Sequence, residues 1–311
     1  MDKKIIAIVI VVIALIACGV FYMSGSANEV TIGYLPSDHD AALFVADAQG
    51  QFESNGIKTK LVQFNNGGDL MTAMASGDVD VGYVGITPAL ASIEKGVPVK
   101  VISAAQTEGS GIVVAKNSGI SSAQDLAGKS VATPGESSIQ YMLLQYYLTE
   151  NGMSLDDVKV SSMKVPSIND ALKTGKIDAA ITFEPYVSIA EKNGASVLAD
   201  SSEILPDHPC CVVVASDKFI ESNPNETRAI LDIHENATKF INNNTDEAAS
   251  MIPSDIVSDV EVEKEALSSF PFSYGLTDDY KQDVMDFMNL EVDLGVLNKP
   301  ISENNIFWES E

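Results

Sequence analysis

Residues 73–102 read AMASGDVDVGYVGITPALASIEKGVPVKVI, and this stretch decides the fold. It has the order helix end, buried strand, helix, strand. Gly77 suits the position just past a helix, where a left-handed backbone costs glycine nothing. Val79–Gly85 is short, apolar and β-rich, as in a parallel strand covered on both faces. Thr87 and Pro88 read as a helix start, with a hydroxyl N-cap and proline at the first helical position. Gly96 closes that helix, and Val97–Ile102 reads as the next strand.

The pattern returns at residues 171–198, ALKTGKIDAAITFEPYVSIAEKNGASVL. Gly77 matches Gly175, Asp80 matches Asp178, Pro88 matches Pro185, Glu94-Lys95 matches Glu191-Lys192, and Gly96 matches Gly194. Two copies, spaced far beyond a solenoid period of roughly 20–50 residues, imply two α/β lobes of similar build.

The chain has 311 residues, enough for two lobes with separate cores. Its 44 acidic against 19 basic residues give a net charge of −25. Nucleic acid is therefore not expected as a partner, because no basic stripe is available to displace counterions. Arg228 is the sole arginine and falls on the polar face of an expected helix, which disfavours an amino-acid site built on an arginine clamp. Of the three cysteines, Cys210 and Cys211 are adjacent. In a regular strand they point to opposite faces, and a bridge between neighbours is strained, so no structural disulfide is expected.

Lys3 and Lys4 precede an unbroken apolar run, Ile5 to Met23, about 28 Å long as a helix. Leu15-Ile16-Ala17-Cys18 looks like a lipobox, making Cys18 a lipidation candidate. An uncleaved signal anchor is the alternative, and a cleaved signal peptide a third. Each places the body outside the cytoplasm; the first two also hold it to the membrane. The expected organisation is residues 1–27 as signal or anchor and linker, 28–108 as the first part of lobe 1, and 109–215 as lobe 2. The strand Cys210–Ala215 then leads the chain back, and residues 216–311 complete lobe 1 with helices.

Five blocks occur in order: Gly33-Tyr34-Leu35-Pro36 after a strand, GDVDVGYVGITP from Gly77, Glu108-Gly109-Ser110-Gly111 at a crossing, TPGESSIQYML from Thr133, and GKIDAAITFEPY from Gly175. Together they resemble the nitrate/sulfonate/taurine-type solute-binding proteins of ABC importers, a group that includes binders of thiamine-pyrimidine precursors. The resemblance spans about residues 30–290. It implies an α/β, two-lobe type II periplasmic-binding-protein fold, each lobe a mostly parallel sheet flanked by helices. It also implies a small-molecule ligand in the interlobe cleft, closure by hinge motion, and an ABC permease and ATPase as partners. No catalysis is expected, because the sequence has no nucleophile elbow, P-loop or zinc-helix signature, and no cofactor is expected. The body is expected to be a monomer.

In open α/β sheets ligands bind beyond the carboxyl ends of strands, near helix N-termini. Four such junctions are available: Ser37–Asp40, Gly85–Thr87, Gly135–Ser138 and Phe183–Glu184. The candidate ligand-binding residues are accordingly Ser37, Asp38, His39, Thr87, Glu108, Ser110, Gly135, Ser137, Ser138 and Glu184. Several have a plainer role open to them. Thr87, Ser137 and Ser138 would serve as helix caps, Glu184 as an acid favoured by a helix dipole, and Glu108 as a hinge residue.

Asp38, Asp40, Glu108, Glu136 and Glu184 are all acidic, with His39 the single candidate cation among these loops. Such a rim opposes an anion and brings forward a second ligand class, a neutral or cationic heterocycle such as a pyrimidine precursor. Asp38-His39-Asp40 reads as a solvated loop. His39 with Asp38 and Asp40, and His208 with Cys210 and Cys211, can also be read as ligands for a transition metal, a third reading beside which an extracellular sensor domain is a fourth. Neither set has the spacing of a recognised metal motif, so no metal ligand is assigned.

Overall fold

The computed structural model describes residues 29–308. The apolar run Ile5–Met23 and Cys18 lie outside the described residues. Among the described residues no helix is long and apolar enough to cross a membrane.

Among the described residues ten strands form two five-stranded sheets. Lobe 1 contains β1 (Val30–Tyr34), β2 (Thr59–Gln63), β3 (Val81–Gly85), β4 (Val99–Thr107) and β10 (Pro209–Ser216) in the order β2-β1-β3-β10-β4. Lobe 2 contains β5 (Ser110–Val114), β6 (Ser130–Thr133), β7 (Lys159–Ser162), β8 (Ala179–Phe183) and β9 (Ser196–Asp200) in the order β7-β6-β8-β5-β9. The orders superimpose, with β10 and β5 as the antiparallel strands that pair with β3 and β8 respectively. This is the duplicated, mostly parallel build expected from the repeat.

The repeated residues do the same work in both lobes. Gly77 and Gly175 take φ of 83° and 66° at the ends of their helices. The Asp80 carboxylate accepts a hydrogen bond from the Thr31 N–H at 2.9 Å, tying β3's entry to β1. Asp178 accepts one from the Ser130 N–H at 2.8 Å, tying β8's entry to β6. All five residues of β3 and of β8 are buried, which explains their uninterrupted apolar character.

Three expectations change. The helix after β3 spans Ile86–Glu94 with Gly85 as N-cap, so Thr87 lies inside its first turn and does not cap it. The chain returns to lobe 1 before Pro209, not after residue 215, because β10 inserts antiparallel between β3 and β4. The segment Asp38–Asp40 is no solvated loop. It forms a short 3-10 turn whose three side chains are buried among the helix Ala41–Ala48, β4 and the helix Val260–Leu267, with Phe183 of lobe 2 against the His39 ring.

From Pro224 the chain is mostly helical, with helices Pro224–Asn243, Thr245–Ala249, Val260–Leu267 and Asp278–Asp293; Val260–Leu267 also packs against the lobe 2 helix Tyr186–Lys192. Arg228 is exposed on the first of these, as its polar neighbours suggested.

Candidate functional site

Between the lobes lies a cavity of about 40 Å³. Lobe 1 contributes the loops that follow β1 (Leu35, Ser37, His39, Asp40), β2 (Asn65, Asn66, Gly67) and β3 (Gly85, Pro88), and Cys211 of β10. Lobe 2 contributes Pro134, Ser138, Ile139 and Gln140 after β6, and Phe183 at the end of β8. The wall is thus built at carboxyl ends of parallel strands, where consecutive helices begin. The lobes touch across it. The Ser37 hydroxyl donates to the Glu184 carbonyl at 2.9 Å.

Three helices start on this wall. Asn66 caps the helix Gly67–Ser76, its Oδ1 accepting from the Asp69 N–H at 2.9 Å. Gly85 precedes the helix Ile86–Glu94. Ser138 caps the helix Ile139–Glu150, its hydroxyl accepting from the Tyr141 N–H at 3.2 Å. Each N-terminus carries the equivalent of roughly half a positive charge. Among the described residues the wall has no lysine or arginine, so these helix ends supply its positive potential.

The acidic rim expected from sequence is largely dismantled by the fold. Of its five members only Asp40 lies on the wall. The Asp40 carboxylate is turned onto the Leu35 N–H at 2.8 Å, and burial holds its pKa well above the usual carboxylate range. Asp38 is fully buried off the wall, and neither carboxylate oxygen has a hydrogen-bond partner. Burial, then the nearby Glu263 and Glu184, push its pKa well up. Glu184 turns onto its own helix, accepting from the Ser188 N–H and hydroxyl at 3.0 Å each, and burial raises its pKa too. Glu108, at φ 62°, accepts from the Asp207 N–H at 2.8 Å and so joins the two lobe crossings. Glu136 is exposed and off the wall. Burial disfavours the charged form of these carboxyls, so they oppose an anion less than the sequence count implies.

A family model described as NMT1-like matches residues 24–253. The chain belongs to the NMT1-like family. It is 30% identical over 306 residues to a putative aliphatic sulfonates-binding protein of Bacillus subtilis, covering 92% of this chain and 90% of that one. It is 33% identical over 178 residues to the taurine-binding periplasmic protein of Escherichia coli, covering 57% of this chain and 55% of that one. In three dimensions it matches the alkanesulfonate-binding protein of Xanthomonas axonopodis pv. citri bound to MOPS. The TM-score is 0.81 at 18% identity, over 92% of this chain and 100% of that one.

In this NMT1-like chain, Ser37, His39 and Ser138 are the sequence candidates that reach the wall. Thr87 is fully buried, and its hydroxyl donates to the Glu291 carboxyl on the helix Asp278–Asp293. Ser110 is buried and accepts from the Gln140 side chain at 3.0 Å, so it positions a wall residue from behind. Gly135 and Ser137 lie off the wall. Residues not singled out from sequence include Asn66, Gly67, Gln140 and Cys211. The junction rule that selected Gly135–Ser138 applies equally to Asn65–Gly67 after β2, and that signal was present. Gln140 and Cys211 carried no comparable signal.

Cys210 and Cys211 do not face opposite ways. Register shifts on either side of Cys211, next to Pro209, bulge β10 there, and the two sulfurs lie 3.9 Å apart. Both face the His39 Nδ1, at 3.8 and 3.6 Å. The thiols are free. Burial, the largest influence on Cys210, would raise its pKa, but hydrogen bonds from Cys211, His208 and His39 and the charge of His39 together hold it well below the ordinary thiol range. Cys211, sharing its hydrogen bond with Cys210, is pushed well up.

Proposed function

We propose that this protein is an extracytoplasmic solute-binding protein that captures a small sulfonate- or taurine-like oxyanion between its lobes and delivers it to an ABC permease and its ATPase. It acts as a monomeric binding protein, not as an enzyme, and its N-terminal segment holds it to the membrane. The observation that carries this reading is the convergence of three helix N-termini on one interlobe wall, with the nearby carboxyls buried off it or turned onto backbone N–H groups. The relatives' names supply the solute class; the geometry supplies the means of holding it without a lysine or arginine. Ser37, His39, Asn66, Ser138 and Gln140 are the polar side chains we assign to ligand contact. Asp38, Glu184, Thr87, Ser110 and Glu108 support the wall or the crossings, and hinge motion at those crossings would open the cleft.

Thermal unfolding of the full chain in detergent, against taurine, alkylsulfonates, nitrate and aminopyrimidines, tests this. A bound solute at 100 times its Kd adds about 2.7 kcal/mol of stability. A shift is expected with a sulfonate. Glu184→Gln and Asp38→Asn are expected to leave that shift intact, because Asp38 is buried off the wall and the Glu184 carboxyl is turned onto the Ser188 N–H and hydroxyl. A shift with aminopyrimidines alone, abolished by those substitutions, would overturn the anion reading in favour of a cationic heterocycle.

A further inference from the structure

Three side chains come together beside the cavity, two of them on its wall and Cys210 behind them. They are His39 from the turn after β1, and Cys210 and Cys211 from the bulge of β10. All are buried, and their donor atoms lie within 4.8 Å of one another. We propose that His39, Cys210 and Cys211 form a binding site for a thiophilic metal ion of the zinc or copper(I) class, with its open coordination position facing the interlobe cavity.

The size of the triangle is the first argument. A tetrahedral ion with metal–sulfur bonds of about 2.3 Å and a metal–nitrogen bond of about 2.0–2.1 Å needs edges of about 3.8 Å between sulfurs and about 3.6 Å from nitrogen to sulfur. The observed edges are 3.9 Å between sulfurs, and 3.8 and 3.6 Å from Nδ1 to each sulfur. An ion fits at the centre without a shift of the backbone.

Tautomer is the second argument. The His39 Nε2 lies 2.9 Å from the Gly109 carbonyl oxygen. A carbonyl accepts only, so Nε2 carries the proton, and in the neutral ring that a metal ion would bind, Nδ1 presents its lone pair to the two sulfurs. A backbone carbonyl that orients the ring from behind is the usual second partner of a metal-bound imidazole. The ring is also held between Phe183 and Phe270, at centroid distances of 5.6 and 4.9 Å. Gly109 has to be glycine for this contact: its φ is 74°, and a Cβ there would stand 2.6 Å from Nε2.

The bulge is the third. A regular strand sends adjacent side chains to opposite faces, and an irregularity at Pro209–Val212 is needed to bring both thiols to one side. Cys211 and His39 both line the cavity, so the fourth position of an ion held here opens onto the space where a solute sits. Donors of one imidazole and two thiols select soft or borderline ions over magnesium or calcium.

The test is independent of the cavity's solute and survives failure of the transport reading. The full chain with Cys18→Ser, reduced and kept anaerobic in detergent, is titrated with cobalt(II), then with zinc(II) as competitor. The remaining thiols are Cys210 and Cys211, so a thiolate-to-cobalt charge-transfer band reports this site alone. The expected result is one cobalt per chain, that band, intense visible absorption of a four-coordinate ion, and its loss on adding zinc. His39→Ala is expected to weaken cobalt binding at least about tenfold. Absence of the charge-transfer band overturns the proposal. So does a band that keeps its affinity in His39→Ala or persists when both thiols are replaced by serine. Should a variant fail to fold, the spectrum of the parent chain still decides.

Discussion

Glu291 sits on the helix Asp278–Asp293, fully buried, with its carboxyl accepting the Thr87 hydroxyl and Oε2 without a partner. Burial, only partly offset by that hydrogen bond, pushes its pKa from 4.5 to about 8. The folded protein therefore keeps this proton up to about pH 8, whereas the unfolded chain releases it near 4.5. Between those values the unfolded state binds fewer protons than the folded state, so stability falls as pH rises. The slope is about 1.4 kcal/mol per pH unit, or about 2–3 kcal/mol between pH 5 and 7. Glu291→Gln keeps the acceptor for Thr87 and removes the titration. Urea unfolding of both chains at pH 5, 6, 7 and 8 gives the two profiles. Glu263, also raised to about 8, and the other buried acids contribute equally to both and cancel in the difference. The expected result is that the variant gains on the parent by about 1.4 kcal/mol for each unit above pH 5. Parallel profiles would refute the reasoning, showing that Glu291 ionises alike in both states.

Two further outcomes follow from packing. Gly67→Ala places a Cβ 2.6 Å from the Pro88 ring, forcing apart two of the helix N-termini that form the wall. It is expected to cost about 1–3 kcal/mol in chemical denaturation and to weaken sulfonate binding in the thermal-shift assay. Asp178→Ala leaves the Ser130 N–H without its acceptor and is expected to cost about 1–3 kcal/mol, with solute affinity unchanged because the tie lies at the far end of β8.

The two lobes and the helix-closing work of the paired glycines were legible in the chain, because these depend on neighbours a few residues away, whereas the strand order and the ties made by Asp80 and Asp178 depend on segments about 50 residues or more apart. A glycine just past a helix or a short apolar run between turn residues carries its conformation with it, and two such sets in the same order fold into two similar lobes. The site was legible only in outline. The rule that ligands meet strand ends and helix starts located the loops, but which side chains reach the wall depended on contacts far apart in sequence. Thr87, a cap by its local setting, is claimed by Glu291, 204 residues away. Asp38 and Glu184, charged rim residues by count, are buried where the lobes meet and are held toward neutrality.

Sequence by itself determined that this chain folds as two α/β lobes with a cleft between strand ends. Tertiary structure alone decided the cleft's charge and its wall. Ionisation depends on burial and on neighbours from other segments, which no local pattern records. The facing of Cys210 and Cys211 likewise depends on how β10 registers against β4, a strand roughly a hundred residues earlier. That register turned two adjacent cysteines toward one histidine.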